Sequence, residues 1–169
     1  MPLNGATLID NKFAWTPGSG TAGKYPVTFN VTDTGGLSDE ETITITVQQK
    51  IINAGLTIDP DTLNLKSAGN LITAYIEFPA EFNPKDVAIG SIRLACPTDY
   101  RASVAAGAPS TIGDVDADGI PDLMVKFDRK TIVSYLKNQS TSGPLTLSVT
   151  GTVKGESFVC NDEIRVIPK

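Results

Sequence analysis

The sequence predicts an all-β protein of two modules with one short helix, and three observations carry that reading. Apolar and polar residues alternate in short runs separated by Gly, Pro, Asn and Asp, the period-two pattern of half-buried strands. One segment only, following Asp128, carries helical spacing. The pattern changes character at Gln48-Gln49-Lys50, which divides the chain into residues 1–49 and 50–169.

In the first module, Phe13-Ala14-Trp15 reads as a short strand ended by Pro17-Gly18. Tyr25, Val27, Phe29 and Val31 alternate with polar residues, and so do Ile43, Ile45 and Val47. Asp33, Gly35, Gly36 and Asp39 make the connection between them turn-rich, as an antiparallel pair requires. In the second module, strands are expected over residues 71–78, 89–94, 123–127, 145–153 and 163–167. The run from Leu71 to Phe78 is largely apolar on both faces, so it is expected to be a central strand covered on both sides. The helix has Asp128 as its cap, Ile132, Val133 and Leu136 as its apolar face, and Asn138 and Gly143 as its stop. Asp128 therefore has a role of its own.

The segment richest in chemistry is Asp114-Val115-Asp116-Ala117-Asp118-Gly119-Ile120-Pro121-Asp122. Its carboxylates fall at alternate positions before a glycine that allows a sharp turn, and Asp122 follows. A hard cation needs several oxygens at once, and this spacing predicts Ca²⁺ bound by Asp114, Asp116, Asp118, the carbonyl of Ile120, and Asp122. An ordinary solvated acidic turn is the competing reading. An EF-hand would carry a bidentate Glu where Val125 stands, inside the strand-like Leu123–Phe127. The loop thus resembles the calcium loops of integrin-type propeller repeats, and less closely those of dockerins and thrombospondin type 3 repeats. That resemblance implies a fixed structural ion held with a dissociation constant of about 10⁻⁴ to 10⁻³ M, not a signalling switch.

The 169 residues carry a net charge of −5 and no histidine. This balance disfavours nucleic acid and anionic membranes as partners, and no apolar run is long enough to insert in a membrane. Met1-Pro2-Leu3-Asn4-Gly5 has no signal-peptide character and reads as a start placed on an excised segment. A Thr-, Ser-, Gly- and Asp-rich composition points to a secreted or cell-surface module. The two cysteines, Cys96 and Cys160, each lie beside a strand-like segment. A disulfide between them would close a loop of 65 residues, worth about 4 kcal/mol. Two buried thiols are the alternative.

Phe13-Ala14-Trp15-Thr16-Pro17, Gly23-Lys24-Tyr25-Pro26-Val27-Thr28-Phe29-Asn30-Val31-Thr32-Asp33, Gly36-Leu37-Ser38-Asp39 and Thr42–Val47 closely resemble the second half of the Ig-like or cadherin-like repeats of prokaryotic surface proteins. The resemblance implies an incomplete Ig-like sheet over residues 1–49, its opening strands lacking. Leu63-Asn64-Leu65, Ile72–Glu77, the Asp-rich loop and Met124–Arg129 resemble a β-sandwich module that trails large secreted prokaryotic proteins. That likeness implies an accessory, non-catalytic domain with adhesion, spacing or anchoring roles. Its partners would be neighbouring modules of the same polypeptide, or a cell-surface protein or glycan.

Catalysis has little support. With no histidine the commonest general base is missing, no serine lies in a nucleophile elbow, and Pro17–Lys24 is a glycine-rich run that opens no helix. A carbohydrate-binding module accompanying a secreted enzyme is the alternative. Of Trp15, Tyr75, Tyr100 and Tyr135, only Tyr100, after Pro97-Thr98-Asp99, reads as loop-exposed and free to contact a ligand.

Overall fold

In a computed structural model, which describes residues 3–18, 20–96 and 99–168 (backbone alone for 99–108), the chain forms two units, Met1–Lys50 and Ile51–Lys169. It is mostly β, as the alternation requires.

The first unit is built from two hairpins. Strands β1 (Thr7–Ile9) and β2 (Lys12–Ala14) are joined through Asp10 and Asn11, both at positive φ, which these residue types tolerate in tight hairpin turns. Strands β3 (Gly23–Thr32) and β4 (Ser38–Val47) pair antiparallel along their whole length. Their turn is held by Asp33, whose Oδ1 accepts the N–H groups of Gly35 (2.8 Å) and Leu37 (2.9 Å). The register sets Tyr25 opposite Ile45 and Val27 opposite Ile43, so the alternating apolar residues share one face. Phe13 meets Phe29 edge-on at 5.5 Å, and Trp15 meets Tyr25 at 4.9 Å.

Even so, no described residue of this unit is fully buried. Two hairpins without a buried core are marginal by themselves. Hydrogen–deuterium exchange is therefore expected to label the amides of β3 and β4 at least tenfold faster than those of the second unit's central strands. Equal protection in both units would contradict this.

The second unit contains β5 (Ile51–Asn53), β6 (Gly55–Asp59), β7 (Thr62–Asn64), β8 (Leu71–Glu77), β9 (Arg93–Cys96), β10 (Asp99–Gly113), β11 (Asp122–Asp128), helix α1 (Arg129–Asn138), β12 (Gly143–Val153) and β13 (Glu156–Ile167). The pairing path runs β5-β13-β12-β9-β10-β11-β8-β6, with β7 also on β13. The path folds at β10. Its first half pairs with β9 and its second half with β11, with register shifts along both pairings. A long strand that bends through bulges and changes partners turns one sheet into two layers. On the other side, the N–H of Ile58 on β6 donates to Asp162 Oδ2 on β13 (2.7 Å). Between the layers lie Ile72, Ile76, Leu123, Val125 and Phe127 with Leu94, Leu147, Val149, Phe158 and Ile164, joined by Ile132 and Leu136 of α1.

Helix α1 begins as its sequence requires: Asp128 accepts the N–H of Lys130 (2.8 Å). Three expectations need correction. Residues Ile89–Ser91 form a 3₁₀ turn and the strand starts only at Arg93, because Gly90 interrupts a run too short to pair. β8 lies between β11 and β6 but buries only the face of Ile72, Ala74 and Ile76, while Thr73, Tyr75 and Glu77 are half-covered. The third concerns the cysteines. Leu94 faces Val149 and Val149 faces Cys160, so β12 stands between the strands of Cys96 and Cys160. Two strand spacings are about 9.6 Å, beyond the roughly 7 Å a disulfide can bridge between Cα atoms.

Both residues are buried thiols, not a disulfide. Burial pushes the Cys160 thiol up to about 12, away from the reactive thiolate. Native protein is expected to resist thiol reagents at neutral pH, while denatured, unreduced protein should titrate both cysteines. A denatured count of zero would restore the bridge.

Candidate metal centre

The hairpin between β10 and β11 places the Asp-rich loop. Gly113 pairs with Asp122 across the hairpin, and Asp122 pairs in turn with Glu77 at the end of β8. Residues 114–121 form the connection, which turns through Ala117 (φ 62°) and Gly119 (φ 92°). The left-handed conformation is natural for Gly119 and costly for Ala117, so the loop is held by its own bonds.

Asp114 supplies two of these bonds, accepting the N–H groups of Asp118 on Oδ1 (3.1 Å) and Gly119 on Oδ2 (3.0 Å). Asp116 Oδ1 also accepts from Asp118 N–H (3.3 Å), and Asp118 Oδ1 accepts from Ile120 N–H (2.7 Å). Asp122, buried at 6% exposure, takes the N–H of Val115 on Oδ2 (2.9 Å). The aspartates thus curl the loop around its own carboxylates.

Two groups of ligand atoms result. Asp114, Asp116 and Asp122 present carboxylate oxygens within 4.8 Å of one another, and so do Glu77, Asp116 and Asp118. Asp116 belongs to both. Among the described residues none of the five forms an ion pair. The carboxyl of Glu77 is held above its usual 4.5, first by desolvation and then by the charges of Asp118, Asp116, Asp122 and Asp114. An all-oxygen donor set with one buried and several exposed carboxylates suits a hard cation of Ca²⁺ type and offers nothing to softer metals.

Four of the five carboxylates were identifiable from spacing. Glu77 was not: it lies 37 positions before Asp114, and only the β8–β11 register brings it to the loop. Ile120 is placed in the loop with its N–H bound to Asp118. Tyr100 falls within strand β10, not a loop, and its side chain lies outside the described residues. Cys96 and Cys160 are remote from this chemistry, as buried core residues.

The He_PIG family model, described as "Putative Ig domain", matches residues 2–48, so the first unit is similar to that family while the second lies beyond the match. No curated protein matches the chain. Among solved structures, murine CEACAM1b aligns over 96% of this chain and 68% of its own length, with 13% identity and a TM-score of 0.34. AggA, the major subunit of aggregative adherence fimbriae type I from Escherichia coli, aligns over 70% and 94%, with 11% identity and a TM-score of 0.28. Both TM-scores are too low to define the arrangement of this chain. Among the described residues, no helix is long and apolar enough to cross a membrane.

Proposed function

We propose that the chain is a non-catalytic, calcium-stabilised module of a secreted or cell-surface protein, serving adhesion, spacing or anchoring beside neighbouring modules. The convergence of Glu77, Asp114, Asp116, Asp118 and Asp122, with no cationic partner among the described residues, supports it most directly. Asp114, Asp116, Asp118 and Asp122, with the carbonyl of Ile120, would hold the ion, and Glu77 would add an oxygen from β8. The ion supplies charge neutralisation and a fixed point between strands. The chain supplies the shape: Asp114 and Asp118 fix the turn, and Asp122 anchors it at the start of β11. Such a staple stiffens one end of the second unit without any catalytic step.

Isothermal titration of chelator-treated protein with Ca²⁺ tests this. The expected outcome is one site per chain, with Mg²⁺ far weaker because it demands stricter octahedral geometry and dehydrates reluctantly. Absence of any saturable Ca²⁺ binding at millimolar concentration would leave the loop an acidic turn.

A further inference from the structure

Strands β8 and β11 run from the acidic loop to an end of opposite charge. There, a cleft of about 410 Å³ opens between residues 65–70 and one side of α1. Lys66, Arg129, Lys130 and Lys137 line it, and among the described residues no carboxylate does. The carboxylate next to it in sequence, Asp128, is engaged in capping α1. Among the described residues, none of the three lysines has an ion-pair partner.

Arg129 is the fixed part of this surface. Its side chain is buried at 5% exposure and donates to the carbonyls of Asn64 (2.5 Å), Ser67 (2.9 Å) and Gly69 (3.2 Å) and to Ser67 Oγ (3.0 Å). Those acceptors are neutral. They satisfy the hydrogen bonds and shape the 64–69 turn, and among the described residues no carboxylate forms an ion pair with the guanidinium. Lys130, Ser134 and Lys137 follow at helical spacing along the cleft, with cations about 10 Å apart, and Lys66 and Asn70 face them from the other wall. The net charge of −5 conceals this separation, in which five carboxylates gather at the far end of the same strands.

We propose that this cleft binds an acidic polysaccharide, with Lys66, Lys130 and Lys137 meeting its carboxylate or sulfate groups. Three features favour a sugar chain over an acidic peptide. The large apolar residues of the lining, Leu65 and Val133, are buried, and the exposed Ala68 is too small to shape a pocket for an anchoring side chain. No strand lines the cleft, so it gives no edge for a peptide to extend. Ser134 and Asn70, exposed among the cations, present the hydroxyl and amide groups that pair with sugar hydroxyls. The inference deepens the reading of a surface module by naming a binding surface and its ligand class. It does not depend on the metal.

Affinity electrophoresis of the full chain through gels containing polygalacturonate, heparin, dextran or polyglutamate is the test, run in chelator and again in Ca²⁺. Retardation by polygalacturonate or heparin is expected at low salt, weakening as salt rises, with none by dextran. The Lys66→Gln/Lys130→Gln/Lys137→Gln variant, altered only at exposed side chains, should lose at least tenfold in affinity with its melting temperature unchanged. Unchanged retardation of that variant, or none of the native chain, overturns the proposal. Stronger retardation by polyglutamate than by either polysaccharide assigns the cleft to acidic peptides and overturns the ligand class. Because every arm is read in chelator as well, polymer binding in chelator would stand even if titration found no Ca²⁺ site on the loop, so the two readings fail separately.

Discussion

Raising Ca²⁺ from chelator to about 10 mM is expected to lift the melting temperature of the second unit by roughly 5–10 °C. The size follows from mass action. A site with a dissociation constant of about 10⁻⁴ to 10⁻³ M gains about 1.4–2.7 kcal/mol at that concentration, and a unit of this size gains a few degrees for each. Asp116→Asn should abolish the response, since Asp116 belongs to both carboxylate groups. The same variant should be at least as stable as the native chain in chelator, because it removes one of the repelling charges. Glu77→Gln is the sharper variant. None of the loop's internal hydrogen bonds involves Glu77, so any loss of calcium response reports the ion and not the turn.

The pH dependence has a definite sign. A carboxyl whose folded value is raised favours the folded state when protonated. In chelator, the stability of the native chain relative to Glu77→Gln should fall as pH rises from below 4.5 through the folded value of Glu77. Calcium should reverse that trend. A native melting temperature indifferent to Ca²⁺ would end the metal reading whatever the variants do.

Local chemistry made much of this molecule readable in its sequence. The β3–β4 hairpin follows from alternation and the Asp33–Gly36 turn, and α1 follows from Asp128 and the spacing of Ile132, Val133 and Leu136. Four carboxylates of the centre follow from one loop's spacing. What escaped depends on pairing between distant segments. Glu77 joins the loop only through a strand register, and no single-sequence pattern encodes which strands become neighbours. The same ignorance of strand order made a Cys96–Cys160 bridge plausible until β12 came between the two strands. β10 was missed for another reason. Residues 101–109 are rich in Ala and include Gly107 and Pro109, all of weak strand preference, so the strand that turns the sheet into two layers carries no alternating signal. No local pattern marks Arg129, because its carbonyl acceptors lie about 60 positions earlier.

The core offers a second large effect, at a residue that no motif marks. Gly151 on β12 pairs with Phe158 on β13, and the absent side chain is what lets the Phe158 ring lie over the strand. A Cβ at position 151 would stand 2.7 and 2.8 Å from two ring carbons of Phe158 and 3.3 Å from Ile92. The ring has little room to retreat: it is 1% exposed, and Phe78 packs edge-on against it at 5.0 Å. Gly151→Ala is therefore expected to destabilise the second unit by about 1–3 kcal/mol through overpacking, even though alanine suits a strand no worse than glycine. Phe158→Leu should also cost stability by itself, since it removes ring volume from a packed core. The double variant distinguishes a clash from a general intolerance of change at position 151. If the ring is the obstacle, Gly151→Ala should cost less in the Phe158→Leu background than in the native one, by about 1 kcal/mol in urea denaturation. Strict additivity of the two costs would place the strain in the backbone of β12, and an unaltered midpoint for Gly151→Ala would show that the ring moves aside freely.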